Sequence, residues 1–105
     1  MPKGVKIEEI KIGNGRSALK GTTVRIRYNG YLSRGDQFQK DVVVTIDLSR
    51  RDVIAGLRYG IAGMCEGGCR KIRVSPHLAY GEQGVPDVIP PNAVLIFVIT
   101  LLDVI

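Results

Sequence analysis

The sequence predicts an α+β domain in which an antiparallel β-sheet packs against one short α-helix. Apolar segments are short and alternate with polar residues at the period of a strand. Thirteen glycines and five prolines among 105 residues separate these segments, and only one segment has helical spacing. With 45% hydrophobic and 24% charged residues, the composition suits one packed core, and we expect a single domain over residues 1–105.

The first two strands are predicted from their alternation. Val5–Lys11 alternates apolar and polar residues and ends before the turn Gly13-Asn14-Gly15. Residues 22–32 form the clearest strand, since its apolar members Val24, Ile26 and Tyr28 share one face. Gly30 interrupts this strand and predicts either a bulge or the close approach of another group.

The middle of the chain contains one further strand and the only helix candidate. Residues 33–36 form a predicted turn, Phe38 opens an extended stretch, and residues 42–48 form an apolar strand. Residues 49–64 have helical spacing, and we expect Ser49 to cap the helix. Its apolar face is formed by Val53, Leu57 and Ile61. Three glycines in its second half predict a short helix that ends near Gly60.

The last third contains a long loop between two strands, at 71–75 and 94–105. The loop, residues 77–92, is rich in glycine and proline, and a loop of this length in a small domain is usually functional. One face of the last strand is Leu95, Phe97, Ile99 and Leu101, which we expect to be core. The opposite face is Ile96, Val98, Thr100 and Leu102. This face is unusually apolar, and either the first strand or the loop covers it or it binds a partner or a second copy.

The charge distribution argues against a nucleic-acid partner. The net charge is +5, from 15 Lys and Arg against 10 Asp and Glu. Nucleic-acid binding would need a cluster of basic residues with aromatic residues among them. Here the basic residues are spread along the chain, and no aromatic residues are interleaved with them. No segment resembles a membrane span or a signal peptide, so we expect no membrane association and a cytoplasmic location.

No residue set indicates acid–base, nucleophilic or metal chemistry. Cys65 and Cys69 are separated by three residues, so they do not form a Cys-x-x-Cys pair, and His77 is the single histidine. We expect two reduced thiols beside a glycine turn and no metal site. There is no serine triad candidate and no phosphate-binding glycine loop, so we expect no cofactor. The remaining candidates for a functional site are aromatic residues. Four of the six could form either a pocket wall or ordinary core: Tyr28, Phe38, Tyr80 and Phe97.

Several motifs, in the right order over nearly the whole chain, resemble the FKBP family of peptidyl-prolyl isomerases. In the last third these are Ala79-Tyr80-Gly81, Gly84-Val85-Pro86, Ile89-Pro90-Pro91-Asn92-Ala93 and Leu95-Ile96-Phe97. Upstream they are Gly13-Asn14-Gly15, Arg27-Tyr28-Asn29-Gly30-Tyr31-Leu32 followed by Gly35 and Phe38, and Val53-Ile54-Ala55-Gly56-Leu57.

The resemblance implies a five-stranded, bent antiparallel sheet wrapped around one short helix. It also implies an apolar pocket for a prolyl ring and binding of macrolides such as tacrolimus and rapamycin. Carried over by position, the substrate-binding residues are Tyr28, Phe38, Gln39, Val44, Val53, Ile54, Leu57, Tyr80, Val85, Ile89 and Phe97. The residues implied in catalysis are Phe38, Ile54, Leu57, Tyr80 and Phe97. Leu57 is implied as the pocket floor, and the Ile54 N–H and the Tyr80 hydroxyl as donors to substrate carbonyls.

The sequence departs from the family pattern at several of these positions. Gln39 stands where an Asp is usual, Leu57 where a Trp is usual and Val85 where a His is usual. The 39–44 segment is about four residues shorter, which puts Val44 where a Phe is common. We expect weaker macrolide binding and modest catalysis, because Leu57 presents less apolar area than a Trp ring.

Two main functions follow from these observations. The first is an isomerase that accelerates rotation about X-Pro peptide bonds and assists folding. The alternative is a catalytically weak or inactive module that grips a proline-containing partner in the same pocket. A third hypothesis is an assembly role that uses the apolar face of the last strand, with self-association through Ile96, Val98 and Thr100.

Overall fold

The computed structural model describes residues 3–105; residues 1 and 2, which the predicted domain of 1–105 includes, lie outside the described residues. Its elements are β1 (Val5–Lys11), β2 (Thr23–Leu32), β3 (Gln37–Asp47), α1 (Ala55–Ile61), β4 (Cys69–Val74), a 3₁₀ turn (Pro76–Leu78) and β5 (Leu95–Val104). The predicted α+β class is confirmed: five antiparallel strands form one sheet, which packs against a single short helix.

The last strand lies at the centre of the sheet. The strand order is β1-β4-β5-β2-β3, so β5 pairs with β4 on one side and with β2 on the other. The predicted core face of β5 is confirmed, since its four apolar residues are at most 2% exposed. Full burial of a large apolar side chain contributes roughly 1.5–3 kcal/mol, so this strand is a main source of stability.

The helix approaches the sheet through two glycines that lie one turn apart. A Cβ atom at Gly56 would lie 2.2 Å from Val74 Cγ1, and one at Gly60 would lie 2.6 Å from Ile72 Cδ1. Both distances are far below van der Waals contact, so any side chain here would push the helix off β4. These glycines therefore weaken the helix locally but permit its packing.

The predicted N-cap at Ser49 is wrong. The helix begins at Ala55, and Ile54 precedes it without a side-chain cap. Ser49 instead donates hydrogen bonds from its N–H (2.9 Å) and its hydroxyl (2.5 Å) to Asp47 Oδ1 at the end of β3. Ser49 thus bonds to the nearby Asp47 carboxylate in a turn instead of capping a helix.

The end of the helix agrees with the predicted position to within one residue. Ala62 follows the last helical residue, and Gly63 has a φ of +89°. A glycine in this conformation commonly ends a helix because it has no Cβ to clash. Arg70 on β4 donates from Nη1 to the Gly60 and Ala62 carbonyls, each at 3.0 Å. Its positive charge therefore lies at the helix C-terminus, where it is favourable. Arg70 also forms an ion pair with Glu9 on β1.

β3 is one long strand with a bulge, rather than the separate strand over 42–48 that the sequence predicts. Val42 pairs with Tyr28 and Gln39 pairs with Gly30, so Lys40 and Asp41 both lie opposite a single residue. Asp41 has a φ of +48°, and its N–H donates to Asn29 Oδ1 at 3.0 Å. The polar residues at the bulge interrupt the alternating pattern, so the sequence did not indicate one continuous strand.

The long loop is ordered by its own hydrogen bonds. The N–H of Val85 donates to the Ile89 carbonyl and the N–H of Ile89 donates back, each at 2.8 Å. At the base, the Asn92 N–H donates to the Gly81 carbonyl at 2.9 Å. Such compact surface loops are held by their own contacts and are often functional. Among residues 3–105 no helix has both the length and the apolar character to cross a membrane.

Glu66 joins three distant parts of the chain through its carboxylate. It accepts hydrogen bonds from the Val104 N–H (2.7 Å) and the Arg16 N–H (3.1 Å), and it pairs with the Arg16 guanidinium (3.1 Å). These donors favour the ionised form and lower the pKa of Glu66 to about 2, with the Val104 N–H contributing most.

We expect Glu66→Gln to destabilise the domain at neutral pH and to lose this effect in acid. The folded-state pKa of Glu66 lies below its ordinary value of 4.5, so its stabilisation is present above pH 4.5 and is lost as pH falls towards 2. The measurement is urea unfolding of both proteins across this range. Glu82→Gln, in the exposed loop, is the matched control. A stability difference that stays constant from pH 7 to pH 2 would contradict the assignment.

Candidate active site

Three aromatic side chains from three different strands meet on the inner side of the sheet. The ring centroids of Tyr28 on β2 and Phe97 on β5 are 5.7 Å apart at an interplanar angle of 67°. Those of Phe38 on β3 and Phe97 are 6.0 Å apart at 83°. Both are edge-to-face contacts, each worth about 0.5–1.5 kcal/mol beyond burial. These three residues are called the aromatic cluster below.

Gly30 makes the position of Phe38 possible. A Cβ atom at Gly30 would lie 2.8 Å from Phe38 Cζ and 2.9 Å from Phe38 Cε2. The ring therefore lies directly over the backbone of β2. The expected close approach at this glycine is confirmed, and the strand register also shifts on either side of it.

The structure surrounds the aromatic cluster with the other apolar residues that the resemblance implies. Leu57 and Ile89 are 8% and 5% exposed and belong to the same packed core as Tyr28 and Phe97. Partly buried residues pack against this core: Phe38, Val44, Val53, Ile54 and Val85. One end of α1, one end of the long loop and the inner face of the sheet thus converge on one apolar surface.

Two polar side chains lie beside Tyr28. Burial raises the pKa of the Tyr28 hydroxyl, the nearby Gln39 side chain opposes this change, and Tyr80 adds to it. Burial also raises the pKa of Tyr80, whose side chain remains 40% exposed. The structure therefore places Gln39 and Tyr80 near the Tyr28 hydroxyl, and both tyrosines carry their protons at neutral pH.

Two hydrogen-bond donors at this site have no acceptor among residues 3–105. The N–H of Ile54, the residue before α1, donates to no backbone carbonyl or side chain. The Tyr80 hydroxyl likewise makes no hydrogen bond to another side chain or to the backbone within residues 3–105, and burial raises its pKa. Unpaired donors next to an apolar surface are available to the carbonyl groups of a bound peptide.

The loop residues Val85 and Ile89 line an open depression of about 420 Å³. Arg34, Pro86 and Asp87 are among its other lining residues, and no member of the aromatic cluster lines it. This depression is therefore separate from the aromatic cluster.

Sequence reasoning missed some residues that shape the site. Val42 pairs with Tyr28 across the strands, and Val42 and Ala79 pack against the same core as the aromatic cluster. The alternation of residues 42–48 places Val42 on the same face as Val44, so this signal was present. The structural role of Gly30 was visible only as an interruption of its strand.

The cysteines lie away from this surface. Both are free and half-buried, and the Ser17 hydroxyl lies 3.4 Å from Cys65 Sγ. Within the part of the chain that the structure describes, no group of three or more His, Cys, Asp or Glu side chains is arranged to hold a metal ion.

A family model described as FKBP-type peptidyl-prolyl cis-trans isomerase matches residues 14–102. The chain belongs to this family. The match includes all eleven positions that the resemblance assigns to the site, from Tyr28 to Phe97.

Named relatives and solved structures agree with this assignment. The chain is 46% identical over 105 residues to "FK506-binding protein 4" of Aspergillus fumigatus, covering 97% of this chain and 21% of the relative. The chain thus spans about a fifth of the length of that curated relative. The crystal structure of AtFKBP13 superimposes with a TM-score of 0.89 at 30% identity, covering 99% and 95% of the two chains. A peptidyl-prolyl cis-trans isomerase from Pseudomonas syringae pv. tomato gives 0.84 at 29% identity, covering 98% and 82%.

We expect Gly30→Ala to destabilise the domain by about 1–3 kcal/mol, because the new methyl group displaces the Phe38 ring. In a Phe38→Ala background the same change has space and should be neutral or slightly stabilising, since alanine suits a strand better than glycine. Urea unfolding of the wild type, both single variants and the double variant gives the coupling between the two sites. Additive effects would show that the ring does not lie over Gly30.

Proposed function

We propose that this chain catalyses cis–trans isomerisation of X-Pro peptide bonds at the aromatic cluster. The observation that carries the proposal is the pair of unpaired donors, the Ile54 N–H and the Tyr80 hydroxyl, beside the aromatic cluster. Membership of the FKBP-type isomerase family supports the same reaction class.

The reaction requires no ionised group and no covalent step. An X-Pro bond rotates over a barrier of about 18–20 kcal/mol because the planar amide is stabilised by resonance. The twisted transition state loses that resonance and is less polar than the planar form. An apolar surface therefore disfavours the planar ground state relative to the twisted one, and this difference lowers the barrier.

The two donors supply orientation. The Ile54 N–H lies at the start of α1, where the backbone turns from an extended to a helical conformation. A peptide carbonyl bound there would hold the prolyl ring against the apolar surface. The ordinary pKa of a tyrosine hydroxyl is 10.0 and burial raises that of Tyr80, so this hydroxyl can donate throughout the physiological range. Donors aimed at the twisted geometry favour the transition state.

A second candidate is a binding module that grips a proline-containing segment without accelerating its rotation. The observation that favours it is the chemistry of the Tyr28 edge, where the uncharged Gln39 stands beside the hydroxyl. An amide side chain polarises a hydroxyl less than a carboxylate does. This weaker polarisation lowers the expected rate but leaves the apolar surface for binding intact.

Macrolide binding and cellular role are further parts of the proposal. We propose that tacrolimus and rapamycin bind at the aromatic cluster, with reduced affinity because Leu57 offers less contact area than an indole ring. Since slow X-Pro rotation can limit the folding of a client chain, the proposed role is folding assistance in the cytoplasm.

We expect the wild type to accelerate isomerisation of a short peptide with one X-Pro bond, and Tyr80→Phe to reduce kcat/KM by roughly 2- to 10-fold. This loss corresponds to one hydrogen bond of about 0.5–1.5 kcal/mol. Exchange between the cis and trans signals in NMR spectra measures the rate directly. Tyr59→Phe, on an exposed helix position, is the matched control. Peptide binding with an uncatalysed rate would reject the isomerase and support the binding module.

We expect Leu57→Trp to tighten tacrolimus binding by about tenfold, because roughly 50–60 Å² of additional apolar contact is worth about 1.4 kcal/mol. Isothermal titration calorimetry gives the affinity, and thermal unfolding checks that the larger ring is accommodated. Tyr59→Trp introduces the same ring away from the site. Unchanged affinity in a folded Leu57→Trp protein would show that residue 57 does not form the floor of the macrolide site.

A further inference from the structure

The outer face of the sheet carries a partly exposed apolar stripe on its central strand. Ile96 and Val98 alternate with the buried residues of β5, so they point away from the core. One expectation was that the first strand covers these residues. It does not, because β1 extends the sheet beyond β4. Tyr31 on β2 pairs with Ile96 and adds an aromatic ring to the same side.

This stripe forms the floor of a shallow groove of about 310 Å³. Ile96, Val98 and Tyr31 line it together with Ser33 and Gly35 from the β2–β3 turn, and Lys71 lies at its other side. The volume is at the lower end of the range of about 300–1,000 Å³ typical of ligand sites. The groove is therefore large enough for one or two apolar side chains of a partner, but it does not enclose a whole ligand.

Exposed cations border the stripe. Across the strands, Lys71 lies opposite Val98, and Arg73 lies opposite Ile96. Lys6 on β1 continues the row beyond Arg73, and Arg27 on β2 lies opposite Thr100. All four are exposed, and within residues 3–105 none of them takes part in an ion pair.

On β1, β4, β5 and β2, two acidic residues share this face, and they do not balance its positive charge. Glu8 on β1 lies opposite Lys71, and Asp103 pairs with Arg25 at 2.5 Å. Among these seven residues the positive charges exceed the negative ones by three, and Asp47 on β3, opposite Thr23, adds one further negative charge at the far edge of the face. Together, the stripe (Tyr31, Ile96 and Val98) and its bordering cations (Lys6, Arg27, Lys71 and Arg73) are called the basic outer face.

We propose that the basic outer face docks an acidic segment of a partner protein, in which carboxylates flank one or two apolar side chains. The apolar side chains would enter the groove over Ile96 and Val98, while the carboxylates would face Lys71 and Arg73. Opposite charge across an interface sets orientation and speeds encounter. This surface does not include the aromatic cluster, so the proposal does not depend on isomerase activity.

Charge decides against a second copy, and the lack of stacking residues decides against a nucleic acid. A second copy placed on this face would bring Lys71 and Arg73 against an equally positive surface, which disfavours self-association through Ile96, Val98 and Thr100. A nucleic acid would meet an apolar centre with a single aromatic ring, whereas such sites combine phosphate contacts with several stacking residues. An acidic and apolar polypeptide matches both features.

The test is fluorescence anisotropy with the full 105-residue chain and a labelled nonapeptide, Glu-Leu-Glu-Glu-Phe-Glu-Glu-Ser-Glu. We expect saturable binding that weakens with salt, as expected for exposed charges. The double variant Lys71→Glu/Arg73→Glu should lose about tenfold or more in affinity. Val98→Thr keeps the shape but removes apolar surface, and it should weaken binding by about threefold to tenfold. Thermal unfolding verifies that each variant is folded.

Three controls decide the outcome. Lys20→Glu/Arg51→Glu makes the same change in net charge on exposed residues that precede β2 and α1. If this variant loses as much affinity as Lys71→Glu/Arg73→Glu, the loss would come from net charge alone, and the proposal would be overturned. A peptide with serine in place of Leu and Phe should bind more weakly; equal binding would overturn the role of the stripe. If a single-stranded DNA of equal charge binds more tightly than the peptide, the face would be assigned to a nucleic acid. If sedimentation shows a dimer that Val98→Asp abolishes, the face would be assigned to a second copy.

Discussion

The burial of Phe97 between Tyr28 and Phe38 is the contact on which both the fold and the candidate site depend. Its ring is 2% exposed and makes edge-to-face contacts with rings from two other strands. Because side chains alternate along a strand, a slip of one residue in β5 would turn Phe97 to the outside and Ile96 to the core. Gly30 provides the space that Phe38 needs, so the site exists only when three strands keep their register. The contacts that stabilise the sheet are thus also those that form the candidate site.

Alternation and turn residues predicted much of this fold. The features that could not be predicted depend on local hydrogen bonds and on close packing between distant residues. The four buried residues of β5 and the position of the helix end followed directly from their pattern. Ser49 was wrongly assigned as a cap because it binds the carboxylate of Asp47, a contact that depends on how β3 ends. Gly56 and Gly60 predicted a weak helix, but their contacts with β4 come from residues far along the chain. A one-dimensional pattern cannot indicate which glycine faces another element.

The site residues came from a family resemblance rather than from periodicity, and their individual roles remain predictions. The structure adds a physical reason for two of them: the Ile54 N–H and the Tyr80 hydroxyl have no acceptor among residues 3–105. No sequence pattern can reveal such donors, because an unpaired group is defined by the whole fold. Gln39 illustrates the reverse case. Its identity is evident in the sequence, but only the fold places it beside the Tyr28 hydroxyl.

The two sides of the sheet separate two kinds of chemistry. No ionised side chain is among the eleven residues assigned to the inner site, which suits a reaction whose transition state is less polar than its ground state. Cations are concentrated on the outer side, around Ile96 and Val98. The core does not require these two residues to be apolar, because polar side chains at outward positions would leave Leu95, Phe97 and Ile99 equally buried. Partly exposed apolar surface next to unpaired cations therefore calls for an explanation outside the core, and an acidic partner with apolar side chains supplies one.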